Sequence, residues 1–203
     1  MRRSFHILAL AALATLYTGC ASTRNSTTQR TAVEMALIST ALDNNLALLE
    51  ANESLAGKSF YFNDAQYQAL DEEYALSAIR LHLLQQGLRE TTKAEEADFE
   101  VRPRSAFLAI DDFKFFIGIP SIPIIVPGAG TITTPELALF KRDKQIGRSR
   151  LGLYAVSNED GALVHDYGVR GAQSYLTNWV ILFLIKFRNT DLPEPYRTGR
   201  SLQ

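Results

Sequence analysis

The chain has 203 residues, of which 46% are hydrophobic and 21% charged, with a formal net charge of −1. That length suits one ordinary domain with a tether, and the apolar content is enough for a packed core, which excludes disorder on composition grounds for most of the chain. The balance becomes more acidic once Arg2 and Arg3 are removed with a leader, so no basic excess is left to hold nucleic acid phosphates.

The N-terminus reads as an export signal. Met1-Arg2-Arg3-Ser4 is a positive start, Phe5 to Leu16 is an apolar run interrupted by His6 and Thr15, and Tyr17-Thr18-Gly19-Cys20 follows. A charged start, a short apolar stretch and a small residue before the cut mark a secretory signal over residues 1–19. The stretch is too short for a membrane helix, which needs about 20 apolar residues. LYTGC-AS resembles the lipobox of bacterial lipoproteins, with Gly19 in place and Tyr17 where leucine is usual. The resemblance implies a lipidated Cys20 as first residue of the mature chain, and Ala21 after it favours the outer membrane. An ordinary cleaved signal with an incidental cysteine is the alternative. Cys20 is the chain's one cysteine, and a lone thiol in an oxidising compartment lacks a disulfide partner, which lipidation resolves. Arg2-Arg3-Ser4-Phe5 also resembles the core of a twin-arginine signal, but the general secretory route is preferred because that route's cargo usually carries a cofactor and no cofactor motif follows.

Residues 20–30 are polar and rich in Ser and Thr, a flexible tether to a domain over residues 31–190. Thr31-Ala-Val-Glu34 has capping-box spacing and starts a helix at Ala32, with Val33, Leu37 and Ala41 beside Ile38, Leu42 and Leu46 on its apolar stripe. Asn44-Asn45 weakens that helix near its end. Lys58 to Asn63 alternates as a strand. Asp71 caps a second helix whose face carries Ala75, Leu76, Ile79, Leu83 and Leu84, and Gly87 closes it in the left-handed conformation. Ala97 to Ile110 reads as one or two strands, with Pro103 at an edge or bulge. Strand, helix and strand here form a β-α-β unit. Glu136 to Arg142 and Arg148 to Ser157 are two further strands, and Lys141 to Lys144 a solvated turn that could meet anionic headgroups. Asn158 to Gly161 is a hairpin turn, with Ala162 to Tyr167 returning. Trp179 to Phe187 reads as a buried strand, and residues 191–203 as a loose tail. The expected fold is a single α+β domain, mainly antiparallel, with a β-α-β unit and two covering helices.

One segment resists assignment to a helix or a central strand. Phe113 to Pro127 is strongly apolar but holds Pro120, Pro123 and Pro127, and proline removes backbone donors. An apolar, partly extended loop before a Gly128-Ala-Gly130 hinge is therefore expected. Two readings remain open: an irregular connection folded across the core, or an exposed patch that touches a partner or the membrane. In the second, Phe115, Phe116, Ile117, Ile119, Ile122 and Ile124 are the contact residues.

Catalytic and metal chemistry have weak candidates. His82 lies on the second helix. His165 and Asp166 are strand neighbours that point to opposite faces and cannot share a site directly. Two scattered histidines make no standard zinc site. Gly128-Ala-Gly130 lacks the residues of a phosphate loop. Asp111-Asp112 and Glu95-Glu96 lack the further ligands of a calcium loop. No metal or cofactor is expected.

The runs IPSIPIIVPG, TPELALFKRD, SRLGLYAVSNEDGAL and SYLTNW resemble those of a family of Gram-negative lipoproteins carried as a domain of unknown function, over Thr31 to Pro193. The resemblance implies envelope location and a single domain, and brings no catalytic residue. More loosely, strand-helix-strand periplasmic lipoproteins resemble accessory subunits of envelope machines. The function expected is a non-enzymatic binding or accessory module, anchored in the outer membrane through Cys20, with the membrane and an envelope protein complex as partners. A carrier of an apolar ligand and a small periplasmic hydrolase are the alternatives.

Overall fold

The computed structural model describes residues 30–197, apart from Ala51, Leu70, Gly128, Ala129 and Pro195. The expected export signal, Cys20 and nearly all of the expected tether lie outside the described residues, as do the first two residues of the expected hinge.

Helix α1 (Ala32–Leu46) begins where the capping-box spacing places it. Its stripe is buried at Leu37, Ile38, Ala41, Leu42 and Leu46. Strand β1 (Ser59–Phe62) turns Phe60 and Phe62 inward. Helix α2 (Glu72–Gln85) buries Ala75, Leu76, Ile79 and Leu83, but leaves Leu84 exposed. Asp71 precedes this helix in the left-handed conformation, and its side chain makes no capping hydrogen bond. Its place at the helix start is as expected; the capping bond is not formed. Gly87, at φ +87, closes α2.

Strand β2 (Arg89–Thr91) follows, and then three long strands: β3 (Phe99–Ile119), β6 (Leu137–Ser157) and β7 (Leu163–Ile181). Between β3 and β6 the chain makes a small hairpin, β4 (Pro123–Val126) with β5 (Gly130–Thr133), and β8 (Ile185–Thr190) completes the main sheet. The sheet order is β2-β1-β3-β6-β7-β8. β1 runs parallel to both β2 and β3, and all later pairings are antiparallel. The result is a single α+β domain with a mixed, mainly antiparallel sheet and two helices.

Several expectations are corrected by the long strands. The two strands predicted around residue 145 are one, and Lys141 to Lys144 are strand residues, not a turn. Phe113 to Ile119 belongs to β3, and Pro123 opens β4, so the apolar segment is strand and hairpin, not irregular loop. Proline is tolerated as the first residue of a strand because a ladder donor is least needed there. Pro103 sits inside β3 for a related reason. The Val101 carbonyl accepts from the Asn63 backbone N–H as β1 ends. Two residues on, Pro103 turns its donor-less nitrogen to the same side, where no strand follows.

The core lies between the two helices and the proximal sheet. Phe60, Phe99, Val101, Leu151, Leu153 and Ala155 meet Ile38, Leu42, Ile79 and Leu83 there. α1 seats close to the sheet: the Ser174 hydroxyl donates to the Leu37 carbonyl at 2.6 Å, and Gly147 lies under the same residue. Asn45, fully buried, donates through Nδ2 to the Ser149 hydroxyl at 3.0 Å and the Arg170 carbonyl at 3.2 Å. The asparagine that was expected to weaken the helix thus ties its end to the sheet. Leu192, also fully buried, packs with Leu37 and Leu176. The described part of the tail is therefore docked, and the domain runs beyond residue 190; residues 198–203 lie outside the described residues.

Candidate apolar docking surface

Beyond the row Asp112–Gln145–Leu176, where Leu176 still packs on Leu37, the strands continue past the part of the sheet that α1 covers. Antiparallel register and the period of two decide which side chains share a face there. On the face away from α1, Phe115, Arg142, Trp179 and Phe187 stand in one row. The next row toward the tip is Ile117, Phe140, Ile181 and Ile185.

The aromatic rings of these rows touch in sequence. Phe115 meets Phe140 edge-on at 5.8 Å, Phe140 meets Trp179 edge-on at 5.7 Å, and Trp179 stacks on Phe187 at 5.6 Å. The Arg142 guanidinium lies 4.7 Å over the Trp179 ring, and its Nε has no hydrogen-bond partner among the described residues. Cross-strand aromatic pairs and a cation over indole stabilise such a surface by about 0.5–1 kcal/mol each.

Of the six contact residues expected from sequence, Phe115, Phe116, Ile117 and Ile119 lie on β3, Ile124 on β4, and Ile122 just before it. All are exposed but Phe116, which is half-buried. Phe116 falls on the opposite face, in register with Lys141, Val180 and Lys186. The structure adds neighbours that sequence reasoning placed elsewhere. Trp179 to Phe187 is not a buried strand. It is the end of β7, a turn with Leu182 and Phe183 at positive φ, and the start of β8. Leu182, Phe183, Leu184 and Ile185 are 55%, 51%, 75% and 56% exposed, a contiguous apolar tip. Ile125, 80% exposed, extends the same character into the β4–β5 hairpin.

The face toward α1 is different. Behind the tip it forms an open cleft of about 650 Å³ lined by Lys141, Lys186, Arg188 and Arg197, with Glu136 and Asp143. Lys141 pairs with Glu136 at 3.0 Å, and Arg188 donates to the Asn178 side chain at 2.8 Å. Four cations against two carboxylates make this a positive collar below an apolar tip.

The histidines are held apart. His165 meets the Asn52 side chain at 3.1 Å, while the Asp166 carboxylate accepts from the Gly168 backbone N–H. His82 lies beside Gln86, and burial pushes its pKa down. Asp111 pairs with Arg148, and Asp112 accepts from Gln145. Among the described residues, no group of three or more His, Cys, Asp or Glu is placed to hold a metal ion. No helix among them is long and apolar enough to cross a membrane.

Residues 14–195 match the profile of a family of unknown function (DUF6655). No curated protein matches the chain.

Proposed function

We propose a role from the surface of the domain, since the chain belongs to this family of unknown function. The protein is read as a non-enzymatic, lipid-anchored module of the cell envelope that seats the apolar end of its sheet in a membrane. Its anchor is Cys20 and its location the periplasmic face of the outer membrane. Residues 59–101 are read as a β-α-β unit that supports this sheet.

The observation that carries the reading is the tip Leu182–Ile185 with the positive collar behind it. An apolar surface of this extent is costly in water, at about 25 cal/mol for each Å² left exposed. Aromatic rings prefer the headgroup level, and Lys and Arg stems lie along apolar surface while their heads reach phosphate. Phe115, Trp179 and Phe187 with Arg142 fit that level, and the apolar tip lies beyond them. Strands of this depth suit shallow seating in one leaflet. The β7–β8 hairpin has only a few residues beyond the aromatic row, whereas a spanning strand needs about 9–11. One buried acyl chain binds reversibly, so a second attachment site on the protein adds to the anchor.

The test uses the lipid-free chain from Ala21 onward, made without the leader, and vesicles of phosphatidylethanolamine and phosphatidylglycerol. This form floats with the vesicles. Adding Leu182→Asp and Leu184→Asp leaves its circular dichroism unchanged and reduces flotation at least tenfold. Equal flotation with and without the aspartates would refute the reading, as would no flotation of the parent.

A further inference from the structure

We propose that copies of this chain assemble head to tail on the membrane, with β8 of one copy pairing along the distal part of β3 of the next. Three observations carry this beyond membrane seating.

The distal sheet has two open edges. β1 pairs with β3 only from Phe99 to Val101, so among the described residues the outer edge of β3 from Arg104 onward has no partner strand, and β8 closes the other side of the sheet with none. Unpaired ladder groups on a strand edge are a template for another chain.

Strand direction matches. β3, β6, β7 and β8 alternate, so β8 runs opposite to β3. A copy related by rotation about an axis near the strand direction therefore brings its β3 antiparallel to β8. The contact uses two different edges, so it repeats and closes into a ring when the rotation permits.

Charge favours this pairing over two β8 edges together. The β3 edge carries Asp111 and Asp112, both exposed, and the β8 edge carries Lys186 and Arg188, also exposed. Two β8 edges would set cations against cations. In the register that places Arg188 opposite Asp112 of the next copy, Phe187 falls opposite Phe113 and Ile185 opposite Phe115. Each pair shares a face, so the apolar surface continues from copy to copy. Lys186 then faces Lys114, which stands in register with Asp143 on its own β6.

The test is cross-linking of the full chain in native membranes with a short bifunctional maleimide. Phe113→Cys together with Phe187→Cys gives a ladder of dimer, trimer and higher species. Either variant alone gives none, and Ile117→Cys with Phe187→Cys, out of register, gives at least fivefold less. Arg188→Asp in the double-cysteine chain suppresses the ladder, and adding Asp112→Arg restores it. Dimers from one single-cysteine variant would show an isologous contact and overturn the proposal. So would a monomeric double variant with native circular dichroism. Neither result touches membrane seating, which a monomer can perform.

Discussion

Gly147→Val lowers the stability of the domain by about 3 kcal/mol or more, read as a fall in the urea midpoint followed by circular dichroism. A Cβ at residue 147 would lie 2.4 Å from the Leu37 carbonyl oxygen and 2.6 Å from its carbon. Those are backbone atoms of α1, which cannot rotate aside as a side chain does. Relief requires the helix to lift. That breaks the bond from the Ser174 hydroxyl to the same carbonyl and loosens the packing of Leu37, Ile38 and Leu42. Against a total stability of about 5–15 kcal/mol for a domain, a large share of the fold is lost. Gly171→Ala is the control. Its Cβ would meet the Ser149 carbonyl at 3.6 Å, an ordinary contact, and alanine stabilises a strand interior by about 0.5–1 kcal/mol relative to glycine. An unchanged midpoint for Gly147→Val would mean that α1 does not seat on this strand.

Two phenylalanines on one strand are expected to behave oppositely. Phe99 starts β3, is 1% exposed and pairs with Phe60 across the parallel ladder. Phe99→Ala removes about 3–5 kcal/mol, the sum of lost transfer energy and the cavity left among packed neighbours. Phe113, fourteen residues along the same strand, is 69% exposed. Phe113→Ser stays within about 0.5 kcal/mol of the parent, because little is buried there to lose. Chemical denaturation of both variants decides the matter. A Phe113→Ser cost equal to that of Phe99→Ala would show that the protein itself covers the distal sheet, and would remove the reason to assign that face to a membrane.

The parts legible in sequence are those where local pattern and burial agree. Helix α1 follows from its capping box and stripe, α2 from its buried face and Gly87, and the β6–β7 turn from Asn158 to Gly161. The long strands are harder to see, because what covers their faces and edges changes along their length. β3 is inward-facing at Phe99 and Val101, carries Asp111 and Asp112 where it leaves α1, then becomes apolar again on an open face. A charged pair in mid-strand and prolines beyond it look like the end of an element, although the hydrogen-bond ladder continues. Trp179 to Phe187 shows the complementary difficulty. An apolar run has the same composition at the centre of a core and at the tip of a hairpin, and only the fold tells the two apart. Ile117 and Ile119 could be picked out because prolines nearby argued against burial in a regular element. Phe140, Arg142, Trp179 and Phe187 could not be joined to them, since cross-strand register, not sequence distance, brings them together. The docked tail was missed for a related reason: Leu192 sits between polar and proline neighbours and offers no periodicity of its own.

The most direct measurement of membrane seating uses Trp179, the one tryptophan of the chain. It lies within the aromatic row, stacked on Phe187 and covered by Arg142. The chain with the proposed lipid on Cys20 is reconstituted into vesicles in which part of the phospholipid carries bromine on its acyl chains, and tryptophan emission is compared with that in unbrominated vesicles. Emission shifts to the blue and is quenched most strongly by bromine near the headgroup. Leu182→Asp with Leu184→Asp abolishes both effects while the proposed lipid on Cys20 holds the protein on the vesicle. Emission that is identical in brominated and ordinary vesicles would contradict the account: the tether would then be holding the domain clear of the membrane, with its apolar sheet turned to something else.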